Sequence, residues 1–200
     1  IGTVIYVAEN RVHVGTILVS DELKENISKE IEDIKKQGIR NIIMLSGDNE
    51  EIAKEVGKLV GMDIIYGNLL PQDKVKIFEK ILQESKGKVA FVGDGVNDAP
   101  VLARADIGIA MGALGSDAAI EASDIVIMTD EIGKIATSLK IARNTKKIVT
   151  QNIIFTLGVK LIILTLGFLG VATMWEAVFA DVGVSVIAIL NSIRALKIEK

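Results

Sequence analysis

The segment Phe91–Pro100, which reads FVGDGVNDAP, carries the residues best suited to chemistry. An apolar run ends there in two carboxylates, Asp94 and Asp98, and glycines on both sides of Asp94 let the backbone approach a ligand closely. Open α/β sheets bind ligands at the carboxyl ends of strands, and Mg²⁺ takes one or two carboxylates with phosphate oxygens and water. The segment predicts a Mg²⁺ site for phosphate chemistry, although two aspartates in one loop are also common as caps and turn formers.

Two other loops offer groups that suit a phosphate. Ser46, Gly47 and Asp48 follow an apolar run and supply a hydroxyl and backbone N–H groups at a helix start. The segment PQDK opens another helix, and its last residue, Lys74, can offer a point charge to phosphate. A hydroxyl, an ammonium and a carboxylate pair on successive loops favour phosphoryl transfer, in which positioning and charge compensation supply most of the catalysis.

These loops need a sheet to position them, and the first 130 residues alternate short apolar runs with amphipathic stretches. This pattern is typical of an α/β fold with a Rossmann-like parallel sheet and crossover helices. Asp48 and Glu51 have the spacing of a helix-capping pair. The predicted strands are 4–8, 12–19, 39–45, 62–66, 88–92, 106–110 and 125–128, and the predicted helices are 22–37, 48–58, 72–84, 98–103 and 116–121.

The last third of the chain has a different composition. Hydrophobic residues make up 50% and charged residues 24% of the 200 residues, yet 148–193 holds only Lys160, Glu176 and Asp181 as acids and bases. Residues 152–171 and about 175–196 are each long enough to cross the roughly 30 Å hydrocarbon layer. The sequence predicts two membrane-spanning helices in contact with lipid. A pair of buried helices in a larger soluble core is the alternative.

Basic residues flank both predicted spans. They cluster within 143–147 before the first span and 194–200 after the second, while the connecting hairpin has none. Because cytoplasmic flanks carry the excess of lysine and arginine, we expect both termini and the α/β domain in the cytoplasm. The expected location is the plasma (inner) membrane of a prokaryote.

Lys160 and Asp181 are the informative residues of the predicted spans. A charge near the bilayer centre costs about 2.5–3.5 kcal/mol, so an intramembrane ionisable residue is a functional candidate. Counted from Ala172, the two residues are offset by three positions, about 4.5 Å along antiparallel helices and within reach of a lysine side chain. They predict either an ion pathway, where the carboxylate binds a metal and the ammonium replaces it after release, or a fixed structural ion pair.

Composition excludes other classes. The net charge of −3 provides no strongly basic surface, so we expect no nucleic-acid partner. The absence of cysteine excludes disulfides and thiolate metal sites within this chain. His13, the single histidine, lies in an alternating apolar strand and is interpreted as a sheet residue.

The three loop segments resemble motifs of the P-type ATPase phosphorylation domain, a member of the haloacid dehalogenase-like superfamily; the string GDGVNDAP is the most specific of them. The resemblance implies that Asp94 coordinates Mg²⁺, that Asp98 with Asn97 supports this site and the phosphate, that Ser46 bonds the phosphoryl group and that Lys74 stabilises its charge. The remaining residues expected to contact the cofactor are Gly47, Asp48 and Gly95.

The family's phosphorylated aspartate lies in an Asp-Lys-Thr-Gly-Thr string that this sequence lacks. In the family this string lies upstream, before an inserted nucleotide-binding domain. Residues 1–15 resemble the end of that domain, 16–135 the phosphorylation domain without its nucleophile, and 136–200 a connector with two spans. We expect a part of an ATP-driven pump that needs the missing N-terminal part, and that is inactive alone. A degenerate fragment that regulates an intact pump is the alternative; a membrane-anchored phosphatase is disfavoured because it needs the same nucleophile.

The two spans resemble the last helices of zinc-, cadmium- and lead-exporting ATPases, on Asn152–Lys160, Trp175–Gly183 and Asn191. Copper pumps typically carry Tyr-Asn in the first of these helices and a Met with paired Ser in the second, which are not found here. The resemblance implies Mg²⁺ and ATP as cofactors of the complete protein. It implies Zn²⁺, Cd²⁺ or Pb²⁺ as cargo, with Asp181 and Lys160 in the ion pathway.

Overall fold

The computed structural model forms two units, Ile1–Ala136 and Thr137–Lys200. The predicted division into three parts, with boundaries after residues 15 and 135, stays a prediction. The residues that the structure describes are 3–19, 23–93, 96–112, 117–129 and 131–197.

The first unit begins with an antiparallel hairpin. β1 (Thr3–Glu9) pairs with β2 (Val12–Val19), and the two strands correspond to the predicted strands 4–8 and 12–19. Asn10 and Arg11 form the turn in the left-handed region, with φ of +49° and +65°, which asparagine tolerates better than most residues.

Two parallel sheets follow. Their strands are β3 (Ile43–Leu45), β4 (Ile64–Tyr66), β5 (Ala90–Gly93), β6 (Ile107–Met111) and β7 (Ile125–Ile127). β3 pairs with β4, and β5, β6 and β7 pair in that order. The sequence predicts one sheet, whereas in the part of the chain that the structure describes no strand pairs with the second edge of β3 or of β5. The apolar runs of this unit are already used in β1 to β7, so no further run is left to join the two sheets.

Helices connect the strands and cover the sheets. They are α1 (Ile27–Lys36), α2 (Glu50–Val60), α3 (Pro71–Glu84), α4 (Ala99–Leu102) and α5 (Asp117–Glu121). Val101 and Leu102 of α4 are fully buried, and Phe78 of α3 packs edge to face on Phe91 of β5, with ring centroids 5.4 Å apart. Aromatic rings prefer this edge-to-face arrangement over direct face-to-face stacking, and the contact packs α3 against β5.

Two helix starts differ from the prediction. α1 begins at Ile27 rather than at residue 22, because Asn26 has φ of +68° and interrupts the helical backbone. α2 begins at Glu50, and its cap is Asn49, whose side chain accepts a hydrogen bond from the Glu51 N–H at 2.8 Å. The predicted cap, Asp48, is wrong because its carboxylate bonds Ser46 instead.

Aspartates tie the amino-terminal ends of the parallel strands together. Each accepts a hydrogen bond from the backbone N–H at the start of the neighbouring strand: Asp63 from Ile42 (2.7 Å), Asp106 from Val89 (2.9 Å) and Asp124 from Gly108 (2.8 Å). Lys35 lies 2.6 Å from Asp63, and Lys88 lies 2.6 Å from Asp106. The hydrogen bonds from these lysines, followed by those from the backbone, lower the pKa of Asp63 and of Asp106.

The second unit is a helical hairpin. α6 (Gly133–Phe168) begins within the first unit, where the Gly133 N–H donates to the Glu30 carboxylate of α1 at 3.0 Å. The returning helix spans Met174–Leu196. It consists of α7 (Met174–Val178), a π-helical turn (Phe179–Gly183), α8 (Val184–Ser192) and a 3₁₀ turn (Ile193–Lys197).

Both helices of this hairpin are long and apolar enough to cross a membrane, with mean hydropathies of 1.8 and 1.7 in their most apolar windows. Only 6% and 11% of those windows are buried, whereas the core helix of a soluble domain would be mostly buried. Exposure therefore favours the membrane interpretation over the soluble-core alternative. The predicted second span agrees to one residue, and the predicted first span covers the final part of the longer α6.

Candidate phosphate site and membrane ion pair

An ion pair lies between the first turn of α3 and the turn that follows β5. Lys74 Nζ donates to Asp98 Oδ1 at 2.9 Å, and their side chains are only 19% and 13% exposed. Pro71 occupies the first turn of α3, and the Asp73 carboxylate accepts from the Leu70 N–H, so this helix start is well defined. The predicted ammonium and one predicted carboxylate are therefore in direct contact, away from most of the solvent.

Gly93 makes room for Asp98 at the carboxyl end of β5. A Cβ at position 93 would lie 2.8 Å from Asp98 Cβ and 2.9 Å from Asp98 Oδ2. Any side chain there would displace the carboxylate, so the close approach requires glycine. Asp94 and Gly95, the predicted Mg²⁺ ligand and its neighbour, lie outside the described residues, and Asn97 is exposed in the 3₁₀ turn Val96–Asp98.

Ser46 is the buried polar residue at the carboxyl end of β3, with 8% of its surface exposed. Its hydroxyl donates to Asp48 Oδ2 at 2.8 Å and accepts from the Asp48 N–H at 3.1 Å. Its N–H donates to the carbonyl of Tyr66, the last residue of β4, and its carbonyl accepts from the Leu69 N–H in the loop after β4. The two hydrogen bonds between Ser46 and Asp48 thus fix the conformation of this three-residue loop.

Gly67 is a residue of this loop region that sequence reasoning missed. A Cβ at position 67 would lie 2.6 Å from the Glu50 Cα, at the first residue of α2. Glycine therefore lets the chain directly after β4 pack against the first residue of α2. A lone glycine after an apolar run is the signal that could have indicated it.

The structure forms two pairs from the predicted phosphate residues: Ser46 with Asp48, and Lys74 with Asp98. Among the residues described, no hydrogen bond or ion pair joins one pair to the other. A cavity of about 270 Å³ opens beside Asp98 and Gly93. The rest of its lining is Val92, Met111, Ile132, and the α1-side residues Lys24, Ile27 and Glu30.

The donor chemistry fits Mg²⁺. Asp98 uses Oδ1 for Lys74 and keeps a second carboxylate oxygen, a hard ligand of the kind Mg²⁺ selects. Within the described part of the chain no three His, Cys, Asp or Glu side chains cluster. Mg²⁺ does not need such a cluster, because phosphate oxygens and water usually complete its shell.

In the second unit, Lys160 and Asp181 meet. Lys160 Nζ donates to Asp181 Oδ1 at 3.1 Å, across the two antiparallel helices. Asp181 lies in the π-helical turn, and the Ser185 hydroxyl donates to its carbonyl at 2.7 Å. The three-residue offset in the sequence predicts this proximity, whereas it gives no sign of the π turn; such turns occur frequently at functional sites.

The parallel strands with their connecting helices place the first unit in the Rossmann-like α/β class, in which ligands bind at the carboxyl ends of the strands. Residues 2–106, more than half of the chain, match the haloacid dehalogenase-like hydrolase family. The chain belongs to this family. The predicted fold class, this domain followed by two helices that could cross a membrane, is confirmed.

Similar proteins extend the match to both units. The zinc-transporting ATPase of Synechocystis sp. is 51% identical over 197 residues, which are 98% of this chain and 27% of that protein. The cadmium, zinc and cobalt-transporting ATPase of Bacillus subtilis is 51% identical over 202 residues, 99% of this chain and 28% of that protein. A crystal structure of a zinc-transporting PIB-type ATPase in the E2.Pi state superposes with a TM-score of 0.85 at 35% identity, over 98% of this chain and 32% of that chain. The predicted resemblance to heavy-metal P-type ATPases is confirmed, and the chain spans less than a third of these relatives.

Proposed function

We propose that this chain is a part of an ATP-driven export pump for divalent heavy-metal ions. It supplies the Mg²⁺-binding and phosphate-stabilising half of the phosphorylation site, and a carboxylate of the metal pathway. The observation that carries the proposal is the shielded Lys74–Asp98 ion pair at the end of β5, in a chain similar over 98% of its length to zinc-transporting ATPases.

In this proposal the residues act on phosphate by charge and hydrogen bonding. Lys74 offers its remaining ammonium protons to the transferring phosphoryl group, while Asp98 holds the ammonium in place. The Ser46 hydroxyl turns its proton from Asp48 to a phosphate oxygen. Preorganised donors of this kind stabilise the charge that develops in the transition state. Mg²⁺, held by Asp98 and by Asp94, would neutralise charge on the phosphate oxygens.

In the described part of the chain no strand pairs with the second edge of β3 or of β5, which supports a role as one part of a larger domain. The backbone groups along these two edges can accept a parallel strand between them. We propose that this strand comes from the N-terminal part of the pump and carries the phosphorylated aspartate of the Asp-Lys-Thr-Gly-Thr string. Its carboxyl end would then lie between the ends of β3 and β5, where Ser46 and Asp98 are found.

In this proposal the second unit binds the transported metal ion. Asp181 is the ligand for Zn²⁺, Cd²⁺ or Pb²⁺, and Lys160 takes the place of the cation when the site empties. We place the helices in the lipid of a prokaryotic plasma membrane, with both ends of the chain cytoplasmic, because basic residues lie at 143–147 and 194–197.

Lys74→Ala in the complete pump tests the phosphate role. We expect acid-stable phosphoenzyme formation from labelled ATP to slow by roughly 10²–10³-fold, the loss typical of one electrostatic donor. Lys80→Ala is the matched control, because Lys80 lies on the same helix with a side chain 72% exposed; it should phosphorylate at the wild-type rate. Equal rates in the two variants would contradict the proposal.

A further inference from the structure

A polar cluster joins the two helices of the second unit at a level distinct from the Lys160–Asp181 pair. Asn191 Nδ2 donates to Asn152 Oδ1 at 2.8 Å. Asn152 Nδ2 donates to the Ala188 carbonyl at 3.1 Å and to Ser192 Oγ at 2.9 Å. Three hydrogen bonds thus cross from α6 to the returning helix. We call Asn152, Asn191, Ser192 and the Ala188 carbonyl the amide clasp.

Arg194 fixes the direction of this network. Its guanidinium donates to Asn191 Oδ1 at 2.9 Å and also reaches Gln151 at 3.4 Å. A guanidinium has only donors, so the oxygen of the Asn191 amide must face Arg194 and its NH₂ group must face Asn152. Asn152 then accepts with its oxygen and uses both amide protons, one for Ala188 and one for Ser192. Each amide group in the clasp therefore has one orientation.

The clasp and the ion pair belong to the same helix register. Eight residues along α6 lead from Asn152 to Lys160, and seven residues back along the returning helix lead from Ala188 to Asp181. These steps are nearly equal in length at about 1.5 Å per residue. A slip of one turn, about 5.4 Å, would separate Lys160 from Asp181 and would also unpair the clasp.

We propose that Asn152 and Asn191 are positioning residues for transport: the amide clasp sets the level at which Lys160 meets Asp181. This inference rests on the proposed function of that pair. The ion pair alone does not fix the axial position of one helix against the other, because lysine has a flexible four-carbon stem and a rotatable point charge. The asparagines have short side chains and directional bonds, and in an apolar surrounding a slipped register leaves their donors unpaired.

Cross-linking in the complete pump measures the register directly. Three double variants carry cysteine at position 160 and at position 181, 177 or 185. The 160–181 pair reports the native register, and the 160–177 and 160–185 pairs report a slip of one turn in either direction. A short bismaleimide links the pairs in native membranes, and mass spectrometry identifies the linked peptides. With the clasp intact, we expect the 160–181 product to dominate. With Asn152→Leu/Asn191→Leu added, its excess over the slipped products should fall roughly three- to thirtyfold, the range that one or two interhelical hydrogen bonds represent in membranes.

The same double variant separates positioning from stability. Replacing both partners of a hydrogen bond by apolar groups of similar shape can be nearly neutral for folding. In the pump with Lys160 and Asp181 intact, we expect wild-type amounts of protein and unchanged phosphorylation by inorganic phosphate, with a lower maximal metal-stimulated ATPase rate. Thr165→Val is the matched control, because the Thr165 hydroxyl donates to the Leu161 carbonyl within α6; it should change neither the rate nor the cross-linking pattern.

An unchanged cross-linking pattern in Asn152→Leu/Asn191→Leu would overturn the inference. If that variant is poorly produced, Ser192→Ala removes a single bond of the clasp and should give a smaller shift in the same direction; no shift would count against the clasp. The register could shift in Asn152→Leu/Asn191→Leu while the Asp181→Asn pump keeps its metal stimulation. That result would support the clasp and refute the proposed role of the ion pair.

Discussion

Asp181 carries the transport proposal at the scale of a single side chain. Asparagine keeps its size but removes the charge that we propose binds a divalent cation and that attracts Lys160, 3.1 Å away. We expect Asp181→Asn in the complete pump to reduce ATP hydrolysis with Zn²⁺ to the metal-free level, while phosphorylation by inorganic phosphate and Mg²⁺ continues. Glu176→Gln is the control, since Glu176 is the other carboxylate of this helix and bonds Thr173 at the helix start. Stimulation that persists in Asp181→Asn would make the pair a fixed structural contact.

Single residues also show how far sequence reasoning reaches at the phosphate site. Ser46, Lys74 and Asp98 could be assigned to strand ends because an apolar run directly precedes each loop. The partners could not be assigned: Lys74 and Asp98 are 24 residues apart and meet only because α3 packs on β5. The sequence predicts Asp48 as the cap of α2, but Asn49 caps it and Asp48 bonds Ser46. Which of the two residues caps the helix depends on backbone angles that the residue types do not determine.

At the scale of elements, the aspartates at the strand starts predict a pH dependence. The pKa of Asp63 and of Asp106 is lowered in the folded state, chiefly by hydrogen bonds from Lys35 and Lys88. Groups of this kind stabilise the fold above their unfolded pKa, near 3.8, and the stabilisation is lost as pH falls through the lower folded pKa. We expect the urea midpoint of the full chain in detergent to fall between about pH 5 and pH 2.

The double variant Asp63→Asn/Asp106→Asn isolates this contribution. It should be less stable than the wild type at pH 6, and the difference should shrink as pH falls through the lowered folded-state pKa of the two wild-type carboxylates. Asp63→Ala, which leaves the Ile42 N–H without its acceptor, should cost about 1 kcal/mol at pH 6. Glu55→Gln, at an exposed position of α2, is the control and should follow the wild-type curve. Parallel curves for all variants would show that the strand-end aspartates do not contribute.

Element boundaries agree with the sequence where an apolar run sets them and differ from it where the backbone conformation of a single residue does. The apolar runs predicted β1 to β7, each with an error of a few residues. The start of α1 was predicted too early because an apolar spacing continues from Leu23 to Ile27, while Asn26 takes a left-handed conformation. The π turn around Asp181 and the meeting of Asn152 with Asn191 are products of packing between helices, which a one-dimensional pattern does not contain.

At the scale of the whole molecule, the two parallel sheets are the largest departure from expectation. The sequence predicts seven apolar strands, and the described residues form seven. Within them, however, the sheet of β3 and β4 is separate from the sheet of β5, β6 and β7. Counting strands could not reveal this, because the order of strands in a sheet is a long-range property. The sequence lacks the Asp-Lys-Thr-Gly-Thr string, which predicts that the nucleophile comes from another part of the protein. Within the described residues, β3 and β5 each have an unpaired edge that could accept a strand from that part.

The proposed strand insertion predicts complementation between two polypeptides. This chain, incubated with Mg²⁺ and labelled ATP, should form no acid-stable phosphate, because it lacks the nucleophile. Coexpressed with a separate polypeptide that holds the remaining N-terminal part of the pump, it should restore labelling, and the label should lie on that polypeptide. The Lys74→Ala chain is the control: its strand edges are intact, so it should still copurify with the partner while labelling slows. Phosphate on this chain alone would refute the assignment of the nucleophile, and restored labelling without copurification would refute the shared sheet.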